Sequence, residues 1–207
     1  GMDFNTAWAD YDLDGDLDLY IPLYPTEDPT PEQIATGAYV DGVAGVLMEN
    51  LGADGFVDRS DLLPSQTNDG HPFAAGWHDL DGDLHPELVI ANDHGREIRS
   101  NRVWRFDGER FIDVSTTTGI DSALDSMGLG VGDLNRDGLP DLVFTGWAEF
   151  SLLESIGGDR WIDTVAARDL YPRESDHQVG WGVEMADMDN DGHLDIMALF
   201  GQWENLP

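Results

Sequence analysis

Asp10-Tyr11-Asp12-Leu13-Asp14-Gly15-Asp16-Leu17-Asp18 places carboxylates at positions 1, 3, 5 and 9 of a nine-residue stretch, with glycine at position 6. A tight loop of this kind points its odd positions inward, so Asp10, Asp12, Asp14 and Asp18 converge on one small volume. Carboxylates about 4 Å apart repel by roughly 4 kcal/mol per pair at an effective dielectric of about 20. No Lys or Arg within the stretch offsets that repulsion. A hard divalent cation would, and calcium takes a cage of carboxylate and carbonyl oxygens. The first expectation is therefore a calcium loop.

The pattern returns three times. Its second copy is Asp79, Asp81, Asp83 and Glu87; the third is Asp133, Asn135, Asp137 and Asp141; the fourth is Asp187, Asp189, Asp191 and Asp195. One acidic turn is commonplace, but four with the same spacing are not. The second copy departs most, because Leu84 replaces the glycine and a bulky residue at positive φ is strained. An EF-hand needs a bidentate Glu at position 12, where this chain has Ile21, Ile90, Phe144 and Ala198. Dockerin-type loops abut helices, whereas these run straight into short apolar segments such as Leu88-Val89-Ile90 and Leu142-Val143-Phe144, which read as strands.

An alternating segment precedes each loop: Phe4, Thr6, Trp8; Phe73, Ala75, Trp77; Met127, Leu129, Val131; Trp181, Val183, Met185. The other parity is small, as in Gly128, Gly130 and Gly132, which predicts strands buried on both faces with a neighbouring sheet close by. Two further runs follow each loop, Val46–Leu51 then Phe56–Asp58, Asn101–Phe106 then Phe111–Asp113, and Ser151–Ile156 then Trp161–Asp163, separated by Gly- and Asp-rich turns. In each copy the aromatic falls ten residues after the start of the preceding run. The first-position aspartates are 69, 54 and 54 residues apart (Asp10, Asp79, Asp133, Asp187). Four-stranded units at such a period predict β-propeller blades. The longer first unit contains an insertion over 23–45, with a short helical turn around Glu32.

Composition narrows the class. The formal charge is -32, the ten basic residues are all arginine, and 41% of residues are hydrophobic, as in a folded turn-rich β protein. The loop positions hold fifteen carboxylates, so four calcium ions would leave a strongly negative surface that disfavours nucleic acid. No stretch is long and apolar enough for a membrane helix, and the absence of cysteine excludes disulfides.

Asp-x-Asp-x-Asp-Gly-x-x-Asp between strands, preceded by a Gly/aromatic strand and followed by a Gly-x-Phe-x-Asp-like one, resembles the FG-GAP/VCBS repeats of integrin α subunits and many bacterial extracellular proteins. The resemblance implies an all-β fold of four-stranded antiparallel propeller blades, with calcium between strands 1 and 2 of each blade. It also implies the position 7 carbonyl as a ligand, here that of Asp16, His85, Leu139 or His193. One propeller region then spans 1–207: blade 1 at 2–60, blade 2 at 72–115, blade 3 at 126–165 and half a blade at 179–200. Rings close with four to eight blades, so about three and a half imply a fragment, completed by further chain or a neighbouring subunit.

No nucleophile elbow, P-loop or His-x-x-x-His pair appears, and the expectation is a non-enzymatic protein. Loops joining strands 2 and 3 emerge opposite the acidic loops and carry Tyr24, His94, Arg96, Trp147, Glu149 and Trp203, a candidate face for a protein or glycan ligand. The expected role is an extracellular or cell-surface adhesion module with up to four structural calcium ions. The alternatives are a lectin or polysaccharide lyase, and an architectural subunit.

Overall fold

The computed structural model describes residues 5–25, 30–36, 45–64, 70–170 and 178–202. Phe4 of the first alternating segment, Trp203 of the candidate ligand face and parts of the 23–45 insertion lie outside them. The strands are β1 (Ala7–Ala9), β2 (Asp18–Ile21), β3 (Val46–Asn50), β4 (Phe56–Asp58), β5 (His71–His78), β6 (Glu87–Asp93), β7 (Arg102–Phe106), β8 (Phe111–Asp113), β9 (Ser126–Gly132), β10 (Asp141–Gly146), β11 (Phe150–Ser155), β12 (Trp161–Asp163), β13 (Gln178–Ala186) and β14 (Asp195–Gln202). They form three four-stranded sheets in sequential order, β1–β4, β5–β8 and β9–β12, and a hairpin of β13 with β14. Every pairing is antiparallel.

The insertion contains the expected helical turn, α1 (Pro31–Thr36). Thr30 caps it reciprocally, its hydroxyl accepting from the Gln33 N–H at 3.2 Å while the Gln33 side chain accepts from the Thr30 N–H at 2.8 Å. A second single turn, α2 (Ser115–Thr118), follows β8 and ends on Gly119 at φ 81°. Its threonines have no helical periodicity to announce it.

The core lies between successive sheets. Tyr11, Tyr20, Leu47, Leu88, Ile90, Trp104 and Phe111 fill the space between the first and second. Leu80, Val89, Val103, Ile120, Leu142, Phe144 and Trp161 fill the next. Val143, Leu152 and Met185 join the third sheet to the hairpin. Trp104 is fully buried and meets Tyr20 edge-on at 6.2 Å; burying side chains of this kind stabilises by about 1.5–3 kcal/mol each.

The first strands of consecutive units meet one another, β1 with β5, β5 with β9 and β9 with β13. Asn5 reinforces the first contact, donating to the Ala75 carbonyl at 2.8 Å and accepting its N–H at 3.2 Å. Glycine permits the closest approach: a Cβ on Gly128 would lie 2.4 Å from Thr145 Oγ1 and 3.1 Å from Gly182 Cα. Across the array, Phe73 of the second unit lies 6.0 Å from Trp181 of the fourth. Of the strands that precede the loops, β5 and β9 are buried or half-buried on both faces, whereas those of the outer units are not. Trp8 is 52% exposed and Trp181 38%, because among the described residues each packs against a sheet on one side only.

The third-strand runs are also not in the common register that their spacing suggests. Leu19, Leu88 and Leu142 pair with Met48, Trp104 and Leu153, so Glu49, Arg105 and Glu154 occupy equivalent positions. The turn between β7 and β8 is one residue shorter than its counterparts, and this shifts the second run by one.

Candidate metal centres

Four loops share one backbone. In each, position 5 or 6 donates its N–H to the position 1 carboxylate. Gly15 donates to Asp10 at 2.9 Å, Leu84 to Asp79 at 3.0 Å, Gly138 to Asp133 at 2.9 Å and Gly192 to Asp187 at 2.9 Å. Position 4 is left-handed throughout, at Leu13, Gly82, Arg136 and Asn190, and so is position 6, at Gly15, Leu84, Gly138 and Gly192. The second loop thus keeps the shape that Leu84 opposes, at φ 74°, with its glycine moved to position 4. Leu84 is 76% exposed and gains no packing in return.

Position 9 closes each loop. Its carboxylate accepts the position 2 N–H, from Tyr11 to Asp18 at 3.2 Å, Leu80 to Glu87 at 2.8 Å, Leu134 to Asp141 at 3.0 Å and Met188 to Asp195 at 3.1 Å. The other oxygen of Asp18 and of Asp141 accepts from the third strand, at Asn50 (2.8 Å) and Ser155 (2.9 Å). Asp18, Glu87 and Asp141 are fully buried, whereas Asp195 is exposed.

Carboxylates at positions 1, 3 and 9 converge. One oxygen from each of Asp10, Asp12 and Asp18 lies within 4.8 Å of the others, and the same holds for Asp79, Asp81 and Glu87, and for Asp187, Asp189 and Asp195. The third loop has the neutral Asn135 at position 3, between Asp133 and Asp141. Position 5 stands apart from these groups. Asp14, Asp83, Asp137 and Asp191 accept the N–H of position 7, from Asp16, His85, Leu139 and His193, at 2.8–2.9 Å.

Burial sets the electrostatics. It pushes the Asp18 carboxyl up to about 6, against the lowering effect of the Asn50 and Tyr11 N–H groups. Burial likewise raises Asp12, Asp81, Glu87 and Asp141. Asp10 Oδ1 is buried and has no hydrogen-bond partner among the described residues. An anionic oxygen in that state is what a cation ligand requires, so the first loop fits calcium. The donor sets of the third and fourth loops fit it by composition.

A residue on the third strand reaches each of the first three loops, and sequence spacing missed it. Glu49 is paired with Arg59 and its charge raises the Asp12 carboxyl further. Glu154 is paired with Arg168, Nε at 2.9 Å, which holds its carboxyl below the ordinary range; it also accepts from Asn135. The second unit has Arg105 here instead, 2.8 Å from Glu87 and 3.0 Å from Asp81. Burial opposes its charge, but the hydrogen bonds it donates to Asp159 and Glu87 hold the guanidinium firmly ionised. A cleft of about 510 Å³ opens beside the first two loops, lined by Asp12, Asp83, His85, Phe106, Asp107 and Gly108.

At the opposite strand ends, Tyr24 donates to Asp93 at 2.9 Å and meets His71 edge-on at 5.2 Å. His71 meets His94 at 5.1 Å. Arg96 pairs with Glu149, and Trp147 bridges to Val179 of β13. The structure therefore joins Tyr24 to His94 and Arg96 to Glu149, with His71 and Asp93 as members that sequence reasoning did not single out. No helix among the described residues is long and apolar enough to cross a membrane. Residues 79–144 match the family model of the FG-GAP-like repeat, from position 1 of the second loop to β10. No curated protein matches the chain.

Proposed function

We propose that this chain, which carries an FG-GAP-like repeat at 79–144, is a stretch of calcium-stabilised β-propeller that serves as a non-enzymatic adhesion module outside the cell. The observation that carries the reading is the convergence of carboxylates from positions 1, 3 and 9 to within 4.8 Å in the first, second and fourth loops, on a backbone that all four loops share. Calcium, when bound, supplies fixed positive charge there and no reaction step. The chain's own groups do the rest. The position 1 carboxylate folds each loop by accepting its N–H groups, and position 9 ties the first and third loops to the third strand. The buried Asp10 Oδ1, which accepts no hydrogen bond among the described residues, would be a ligand atom.

Sequential four-stranded sheets whose first strands adjoin support the propeller. Exposed Trp8 and Phe56 at one end, and Met197, Leu199 and Phe200 at the other, are apolar faces suited to further blades, from the same chain or a neighbour. The Tyr24–Asp93 and Arg96–Glu149 pairs, with Trp147 beside them, form the candidate ligand face.

The test has two parts. Millimolar calcium is expected to raise the melting temperature over that in excess chelator; an unchanged value refutes the metal reading. The calcium-loaded chain is then screened against surface proteins and a glycan array, with ultraviolet detection of unsaturated products from polyuronates. Protein binding supports adhesion. Glycan binding alone, or product formation, would replace it with a carbohydrate-binding or lyase role.

A further inference from the structure

We infer that the second loop carries its own cation: the guanidinium of Arg105 takes the place that calcium holds in the other loops, and latches the second sheet to the third without metal. The inference rests on the calcium reading of the first, third and fourth loops. Arg105 Nη2 is 3.0 Å from Asp81 and Nε is 2.8 Å from Glu87, positions 3 and 9 of the loop and two of its three converging carboxylates. A calcium ion at its usual 2.3–2.6 Å from those side chains would have to share Asp81 and Glu87 with the guanidinium, and would set two cations side by side. The fork is completed outside the loop. Nη1 and Nη2 bind both oxygens of Asp159, at 3.0 and 3.1 Å, in the turn between β11 and β12 of the next sheet. Paired parallel bonds of this kind are the strong, directional form of an arginine–carboxylate contact.

The rest of the second loop agrees. At the register of Arg105 the first and third sheets have glutamates, Glu49 and Glu154, which add negative charge beside their loops. Arginines from beyond the fourth strand, Arg59 and Arg168, hold those glutamates. Position 9 is Glu87 where the other loops have aspartate, one methylene longer and so able to reach an arginine on β7. Position 6 is Leu84, whose strained φ of 74° shows the loop shape maintained against local preference. Arginine and the longer acid are two departures in one loop that fit a fixed internal cation, since each makes one half of the Arg105–Glu87 bond.

The experiment counts calcium ions by native mass spectrometry and titration calorimetry on the whole chain. It compares the parent with Asp79→Asn, Asp187→Asn and Arg105→Gln. Asparagine keeps one of the two oxygens that accept loop N–H groups at Asp79 and Asp187, and the circular dichroism of each variant checks that the sheets remain folded. Three ions in the parent, three in Asp79→Asn, two in Asp187→Asn and four in Arg105→Gln is the expected set. Four ions in the parent, falling to three in Asp79→Asn, overturns the inference and leaves the calcium reading intact. Three ions in Arg105→Gln overturns the role given to Arg105. No ion in any variant overturns the calcium reading itself and this inference with it.

Discussion

Asp18 offers a measurement in which the sign alone decides. Its carboxylate is fully buried at the base of the first loop, and burial lifts its pKa from 3.8 to about 6. For an acid raised in the folded state, the fold binds the proton more tightly than the unfolded chain does. The cost of ionisation is fully present above about pH 6 and disappears below about pH 4. Linkage gives a penalty of roughly 3 kcal/mol at pH 7 and about 1.6 kcal/mol at pH 5. In excess chelator, acidification from pH 7 to 5 should therefore return about 1.3 kcal/mol through this one group. His78 works in the opposite sense, since burial depresses its pKa and protonation destabilises the fold as the pH falls. Comparing the parent with Asp18→Asn removes that contribution. Asparagine cannot ionise, and the hydrogen bond it loses to Tyr11 or Asn50 is the same at both pH values. Urea unfolding in chelator at both pH values should show the parent gaining about 1.3 kcal/mol on the variant. In saturating calcium the slope should reverse, because the proton and the ion compete for one carboxylate. A difference independent of pH in chelator, or one that favours the variant at pH 5, would refute the electrostatic account of the loops.

Leu84→Gly should stabilise the chelated protein by about 0.5–1 kcal/mol, the release of left-handed strain less the added entropy of the unfolded chain. Gly15→Ala at φ 98° should cost about 1–2 kcal/mol; denaturant curves for both would check the pair. Gly128→Ala should lower the melting temperature by several degrees, since its Cβ would press on Thr145 and on the Gly182 backbone and cost roughly 1–3 kcal/mol. Scanning calorimetry would expose an error if the variant melted with the parent. Tyr24→Phe removes the donor to the buried Asp93 Oδ2 and should cost about 1–3 kcal/mol, read by urea unfolding.

What the sequence displays well is whatever repeats. Spacing of acids, period-two alternation and glycine turns are local, and four copies reinforce one another. The loops and the strand order within each sheet are legible for that reason, whereas α1 occurs once and shows only through its local capping signal at Thr30 and Gln33. Three features are not legible. The single turn α2 is held by Thr118 and Ser115 side chains bonded to nearby backbone, which leaves no periodic trace. The exposure of Trp8 depends on which sheet faces it, a tertiary fact. Position 5 was expected to converge with positions 1, 3 and 9. Asp14, Asp83, Asp137 and Asp191 bond the backbone two residues on, but position 3 makes the same bond, so spacing alone does not show which of the two joins positions 1 and 9.

Arg105 shows where such reading fails and why. Aligning the third-strand runs on their spacing from the fourth-strand aromatic sets Trp104 beside Glu49 and Glu154. A turn shorter by one residue restores Arg105 to that place. In a strand a slip of one residue turns every side chain to the other face, so the spacing assigned a buried tryptophan to the position that faces the acids. Pairing can be tested without knowledge of the turn, because Leu88 opposite Trp104 matches Leu19 opposite Met48 and Leu142 opposite Leu153. Counting from the loop, where the register is anchored, recovers the charge reversal that counting from the turn conceals.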